Sequence, residues 1–550
     1  MNSSVQIQSF PFKKEDVAAL RGDARYRPYL DYPVVYILNN ERTAYIGETV
    51  ALQNRMAAHL KDRRRKQLTE VSVLMHERFH KSAVYDIETQ LINYFLGDEK
   101  YELQNVSQTN KSVMHNYYEK EYYNRDLFED IWEQLRERGL VDHPLHDIEN
   151  KDIYKLSPFK ALSANQLDLR NAIVDACLTE YEMERDDTYV FLVKGEAGVG
   201  KSVVLSATFN KIEELAQDPD SPLYKTENRL LVNHTEMLKT YEDIAGRVKT
   251  LKKKQFAKPT SFINTCKKEG TRADIVFVDE AHLLLTRSDR FNSFHENNQL
   301  EEIIKHSRVV VIMYDEKQVL RLKSYWDEQQ LQNIVAPYRK NEPYVLTDQF
   351  RMNAPDAVIE WIDAFVEDRV VLPIPEAGDY DLRVFSDASD MWGTIQKKNK
   401  EEGLARVVST FDFVHKKDGS DYYVESGSFR LPWNRTTKKT WAEEETTIDE
   451  VGSIYTIQGF DLNYVGVILG PSVAYDPSTE RLVLRPDAYC DTEAFRGKEG
   501  VSNVEYVKEQ IILNSINVLM KRGVKGLYVY AHDSALREQL IKMSHRKEKK

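Results

Sequence analysis

Gly195-Glu196-Ala197-Gly198-Val199-Gly200-Lys201-Ser202 fits the pattern G-x-x-x-x-G-K-[ST]. The residues before it, Thr188 to Val193, read T-Y-V-F-L-V, β-branched and aromatic as a buried strand requires. The residues after it, Ser202 to Gln217, read as a helix. Strand, glycine loop and helix together make a phosphate cradle. Gly195, Gly198 and Gly200 let backbone N–H groups curl around a polyphosphate at a helix N-terminus. Lys201 reaches the β- and γ-phosphates, and Ser202 offers a hydroxyl to Mg²⁺. The fold around such a loop is α/β.

Downstream, the apolar run Asp274 to Val278 enters Asp279-Glu280-Ala281-His282 directly. A strand ending in two acids, after a phosphate loop, is a Walker B site. Asp279 then holds Mg²⁺ and Glu280 polarises the attacking water. Leu230 to His234 and Arg308 to Tyr314 read as further strands. Bulk properties bound the rest. The chain of 550 residues suggests about three domains. Its 76 basic and 88 acidic residues give a net charge of −12, so a polyanion can bind only through local basic surfaces. Cys177, Cys266 and Cys490 fit no metal spacing and no disulfide framework. No signal peptide and no run of ~18 apolar residues is seen, so a soluble, cytoplasmic protein without a membrane partner is expected.

The first hundred residues carry a second pattern. Pro33 to Leu38 and Thr43 to Gly47 read as a hairpin, with a turn at Asn39 to Arg42. A helix over Leu52 to Leu60 ends in the basic run Lys61-Asp62-Arg63-Arg64-Arg65-Lys66. Val71 to Met75 reads as a strand, and Tyr85 to Ile92 lies in a helix. This order resembles the GIY-YIG nuclease family. Val34-Val35-Tyr36 stands where the family has G-I-Y, Tyr45-Ile46-Gly47 is the Y-I-G, and Arg55, His59, Glu88 and Asn105 follow in order. The resemblance covers residues 30–110 and departs at Val34. It implies Tyr36 as general base or water orienter with Tyr45 assisting. Glu88 would be the divalent-metal ligand, Arg55 the cation facing the phosphate, and His59 a proton-transfer partner. The basic run reads as a DNA-backbone contact or as a solvated face.

His76-Glu77-Arg78-Phe79-His80 also fits H-E-x-x-H. That zinc pattern needs both imidazoles on one helix face, whereas these residues fall between a strand and a helix start, so a metalloprotease is rejected.

The remaining motifs resemble superfamily 1 helicases, closest to the Schlafen-like group. Asp315-Glu316-Lys317-Gln318 resembles motif III, which implies Gln318 as a γ-phosphate sensor. Gln349-Phe350-Arg351 resembles motif IV, with Arg351 reaching the nucleotide. Thr456-Ile457-Gln458-Gly459-Phe460-Asp461 resembles motif V, and Asn517 to Gly523 resembles motif VI. There Lys521 replaces the usual Thr, and Arg522 would be the arginine finger. Gln166, ahead of the phosphate loop, resembles the adenine-reading Gln of helicase cores. Asn233-His234-Thr235 and Thr456 are candidate strand-facing residues.

The expected organisation is a small α+β GIY-YIG domain with a helical connector (1–145), then two RecA-like parallel-sheet lobes. The first lobe is 146–345 and the second 346–550, with an insert near 371–450. The insert's Trp392, Trp433 and Trp441 read as a base-stacking surface or as a small packed subdomain. The expected function is an ATP-dependent nuclease–helicase using ATP and Mg²⁺ (or Mn²⁺) on nucleic acid, DNA rather than RNA. Such a fusion suits defence against foreign DNA, or repair. The alternative is a nucleotide-driven nucleic-acid sensor whose GIY-YIG domain only binds.

Overall fold

The hairpin forms where alternation and turn chemistry put it. β2 (Val34–Asn39) and β3 (Thr43–Thr49) pair antiparallel, with Tyr36 opposite Gly47. Asn40 closes the turn, its Oδ1 accepting from Arg42 N and Thr43 N at 2.9 and 2.7 Å. Turn-forming Asn mimics a backbone carbonyl in this way. A computed structural model describes residues 5–105, 117–183, 185, 187–196, 198–289, 293–320, 322, 328–346, 352–416, 418, 420–435, 441–457, 461–496 and 503–545. They fall into two compact units. The first is Met1–Asp186, Ser202–Lys258 and Ala273–Phe277; the second is Asp187–Lys201, Pro259–Arg272 and Val278–Lys550.

In the first unit, the N-terminal sheet has the order β1-β4-β2-β3-β5, where β1 is Gln6–Pro11, β4 Glu70–Met75 and β5 Glu102–Leu103. β1 was not expected. Its Q-I-Q-S-F-P stretch pairs antiparallel with β4, from Gln6 opposite Met75 to Pro11 opposite Glu70. Proline at the end of an edge strand is tolerated because its missing donor faces no partner. Helices Leu52–Lys61 and Lys81–Asp98 belong to this fold, and Phe10, Tyr26, Leu38, Leu52, Met56 and Val73 lie in its core. The same unit holds the parallel pair Asn228–Val232 and Phe256–Ala257 and the helix Thr235–Arg247.

In the second unit, Tyr189–Gly195 pairs parallel with Ser307–Tyr314, Arg339–Lys340 and Tyr344–Leu346. The strand before the phosphate loop is buried through Val190 to Val193. Continuous apolar runs of this kind mark parallel strands covered on both faces. A second, all-parallel sheet has the order Asp381–Val384, Gly523–Ala531, Leu462–Leu469, Ala405–Ser409, Val451–Gly452. The architecture is therefore mixed α/β with parallel sheets and a small N-terminal sheet, as RecA-like lobes require.

The stretch 371–450 differs from the expected insert. Asp381–Val384 and Ala405–Ser409 are members of the second sheet itself, joined by the helix Ala388–Glu402. Only the Tyr423–Ser426 and Phe429–Pro432 hairpin stands apart as its own two-stranded ribbon. The tryptophans pack inward. Trp433 and Trp441 are buried, and the indole N–H groups of Trp392 and Trp433 donate to Ile448 O and Phe413 O. Buried indoles with satisfied N–H groups are core residues, not stacking platforms. Lys438 and Lys439, the cations that stand between Trp433 and Trp441 in the sequence, lie outside the described residues.

Candidate functional sites

Gly198 and Gly200 lie at φ 92° and 78°, in the left-handed region. At Gly195 an added Cβ would fall 2.8 Å from Val199 Cγ2. Lys201 is buried, and its ammonium donates to Gly195 O, Glu196 O and Asp315 Oδ2 at 2.7, 2.8 and 3.1 Å. Asp315 also accepts from Gln318 Nε2 at 2.6 Å. Burial opposes the Asp315 charge, but Lys201, His282 and Gln318 outweigh it and hold the carboxyl below its usual range. Gln318 is thus fixed through Asp315 to the phosphate-loop lysine.

Strand Ala273–Asp279 ends on a fully buried Asp279. Glu280 follows at φ 49°, a conformation costing a residue with a Cβ roughly 1 kcal/mol. Its N–H donates to Asp279 Oδ1 at 2.9 Å. Glu280 Oε2 lies 3.1 Å from His282 Nε2, and His282 is wholly buried. Burial lowers the His282 pKa; Glu280 and Asp315 act to raise it, Lys201 and Arg522 to lower it further. Arg522 is itself buried, with Nη1 3.6 Å from Asp461 Oδ1.

A charge cluster flanks this site. Glu196, inside the phosphate loop, is 2.6 Å from Lys317 and 3.5 Å from Lys521. Lys317 is also 2.5 Å from Glu367, and Lys521 2.5 Å from Asp363. Burial opposes the Lys317 charge, and its two carboxylates more than offset this, so its ammonium stays above the usual range. For Glu196 too, burial is overcome by the Lys317 hydrogen bond and by Lys521, and its pKa is lowered.

The N-terminal hairpin gathers a second group. Arg55 Nε donates to Tyr36 Oη at 3.0 Å, and Tyr36 Oη shares a hydrogen bond with His59 Nε2 at 2.7 Å. The Tyr45 ring packs edge-on to His59 at 5.2 Å. An added Cβ on Gly47 would lie 2.3 Å from Tyr36 Oη, so the glycine makes room for the phenol. Burial drives the Tyr36 pKa well up, with Tyr45 and Glu88 adding to it and Arg55 opposing. Burial, then Arg65 and Arg55, push His59 down to about 3, so its imidazole is neutral near pH 7. Glu88 lies on Lys81–Asp98, and its charge reaches both Tyr36 and Tyr85. Asn105 clamps β3: Nδ2 donates to Ile46 O and Oδ1 accepts from Ile46 N, at 2.8 and 3.1 Å. Of the basic run, Arg65 stacks over the Tyr45 ring at 3.8 Å and bonds Asp62.

Comparison with known proteins bears on the motor. Residues 188–533 match the family described as Schlafen group 3, DNA/RNA helicase domain. The chain belongs to this family. The chain is also similar to the uncharacterized Saccharomyces cerevisiae protein YPL245W, 42% identical over 414 residues that span 70% of this chain and 91% of the relative. The Schlafen group 3 match holds the phosphate loop, the Walker B acids, Asp315, Gln318, Lys521 and Arg522; the hairpin group lies before it.

Other sequence-read residues have local partners. Gln166 forms a capping box, its Oε1 accepting from Ser163 N and its N–H donating to Ser163 Oγ. His234 caps the helix Thr235–Arg247, its Nδ1 accepting from Met237 N. Arg351, with Gln349 and Phe350, lies outside the described residues, as do Gln458 to Phe460. In the H-E-x-x-H stretch, β4 ends at Met75 and the next helix begins at Lys81, so His76 and His80 share no helix face. His80 instead caps that helix by accepting from Ala83 N. Among the described residues no three His, Cys, Asp or Glu converge as a metal cluster. None of their helices is long and apolar enough to cross a membrane. The Lys317–Glu196–Lys521 cluster was missed. Its one sequence signal was Lys521 in place of a threonine.

Proposed function

We propose that the Schlafen-type core hydrolyses ATP to move or remodel nucleic acid, DNA in preference to RNA, and that the N-terminal fold cleaves phosphodiester bonds with a divalent metal. The observation that supports the motor is the buried Lys201–Asp315–Gln318 hydrogen-bond chain, together with Glu280 3.1 Å from buried His282. The residues fit their substrate and metal. Left-handed Gly198 and Gly200 at the start of a 17-residue helix suit a polyphosphate, and the carboxylate of Asp279 suits Mg²⁺. Bound Mg²⁺ would neutralise phosphate charge. Lys201 binds and orients the terminal phosphates. Glu280 aligns and polarises the attacking water. Arg522 stabilises the charge that spreads over the transferring phosphoryl group, a role worth about 10³–10⁵ in rate.

In the N-terminal fold, Glu88 would hold the metal and Arg55 would face the phosphate. The chain Tyr36–His59 would move a proton, with a neutral His59 ready to accept it. One observation favours binding without cleavage: Tyr36 is wholly buried and walled by Gly47. Two assays separate the readings. Nucleic-acid-stimulated ATP hydrolysis should vanish in Lys201→Ala. Cleavage of single-stranded, duplex and forked DNA and RNA with Mg²⁺ or Mn²⁺ should vanish in Glu88→Ala. A wild type that cuts no substrate leaves the N-terminal fold as a binding module, and ATP turnover indifferent to nucleic acid removes the motor.

A further inference from the structure

Arg247 to Lys258 reads R-V-K-T-L-K-K-K-Q-F-A-K, five lysines within ten positions of a chain whose net charge is −12. Lys249, Lys252, Lys253, Lys254 and Lys258 are all exposed, and among the described residues none is in a salt bridge, Lys252 alone acting electrostatically on a carboxylate, that of buried Glu213. The segment is not loose. Val248, Thr250, Leu251, Gln255 and Phe256 alternate with the lysines and are buried. Thr250 Oγ1 donates to Asn210 Oδ1, Gln217 Nε2 donates to Thr250 O, and Lys252 N donates to Gln255 Oε1. Phe256 stacks on Tyr241 with ring centroids 5.7 Å apart. The Lys253 stem lies along the preceding helix, 3.3 Å from where a Gly246 Cβ would be. Like charges are therefore pinned side by side, an arrangement that a polyanion relieves.

Both ends of the segment lead to residues already described in the same unit. At one end, Lys258 Nζ donates to Thr235 Oγ1 at 2.8 Å, beside the strand-facing candidates Asn233 to Thr235. At the other, Val248 bridges in parallel to Leu103 of β5, and Arg247 donates to Glu99 O and Oε2, both at 2.8 Å. We propose that Lys249–Lys258 is a docking ridge for a nucleic-acid phosphate backbone, carrying a strand between the Asn233–Thr235 turn and the N-terminal fold. This rests on the nucleic-acid reading of the motor and names where the backbone is held.

The test uses the full chain, a fluorescein-labelled 20-mer as single strand and as duplex, and anisotropy over a range of salt. Lys252→Gln/Lys253→Gln/Lys254→Gln should weaken binding at low salt at least tenfold. It should also flatten the slope of log K against log salt by about 2–3, since each lost contact removes roughly 0.7 on a single strand and 0.9 on a duplex. The Lys→Arg triple should keep both, and basal ATPase should hold within twofold in either variant. Unchanged affinity and slope in the Gln triple overturn the proposal. So does an equal loss in the Arg triple, which would mark a structural role. A wild type that binds neither strand form instead overturns the nucleic-acid reading itself.

Discussion

Lys521→Met removes one buried charge and keeps most of the side chain's volume. The ammonium is 1% exposed, 2.5 Å from Asp363 and 3.5 Å from Glu196. Breaking a fully buried pair costs about 3–5 kcal/mol, and an exposed pair is worth about 0–1 kcal/mol. Here the lysine is enclosed while the Asp363 side chain is 30% exposed, so the loss is about 1–2 kcal/mol. Glu196 keeps Lys317 at 2.6 Å, so the deficit falls on Asp363. Arg522 is the next residue, and any shift of Lys521 is passed to it through one peptide bond. If the whole of that loss is felt at Arg522 in the transition state, then at about 1.4 kcal/mol per decade ATP turnover should drop by up to roughly tenfold in kcat, with KM nearly unchanged. The assay is steady-state ATPase at saturating nucleic acid for Lys521→Met, Asp363→Asn and the double variant. The double should fall short of the product of the singles by about 1–2 kcal/mol of coupling. Lys397→Met is the control, since Lys397 is 75% exposed and 3.8 Å from Glu401. Wild-type kcat in Lys521→Met, or strict additivity in the cycle, would refute the reasoning.

Three further outcomes are expected. Gly47→Ala, with its Cβ 2.3 Å from Tyr36 Oη, should cost about 1–3 kcal/mol, read as lost hydrogen-exchange protection across β2 and β3; unchanged protection would deny the close approach. His59 has a folded pKa depressed to about 3 against about 6.5 unfolded, so the unfolded state takes the proton first and stability falls on acidification. Between pH 7 and pH 5 the N-terminal fold should lose about 2 kcal/mol in urea pulse proteolysis, and His59→Gln should lose clearly less. Glu280→Gln should reduce ATP hydrolysis by about 10²–10⁴ while nucleotide binding persists; hydrolysis near wild type would remove Glu280 as the water-polarising group.

The helicase-like core was legible because its motifs are local in sequence. A glycine loop between strand and helix, or two acids at a strand end, needs no long-range contact to be recognised, and the strands before Lys201 and Asp279 stand where the apolar runs put them. The hairpin group was legible for a related reason: Tyr36, Tyr45, Arg55 and His59 lie within two strands and the helix that follows. What escaped depends on distance. Glu196, Lys317, Asp363, Glu367 and Lys521 sit in separate elements, and no periodicity says that two lysines will share one glutamate. β1 escaped because Q-I-Q-S-F-P is short and polar, and only β4 gives it a partner. The tryptophans of 371–450 allowed two readings, since aromatic residues beside lysines look alike whether packed or stacked on bases. Burial decides between them.

The bridge between Leu103 and Val248 bears on how this chain can be taken apart. With Arg247 on Glu99, and Ser206 Oγ donating to Leu156 O at 2.8 Å, it ties the sequence before residue 187 to the helix and strands of 202–258. Trimming between them would open the β5 edge and strip partners from both sides. A fragment ending near residue 150 and a fragment beginning near residue 188 would each carry a raw surface. Loss of activity in either would then report damage at the cut and say nothing about which half does the chemistry. Point substitutions in the intact chain avoid that confusion.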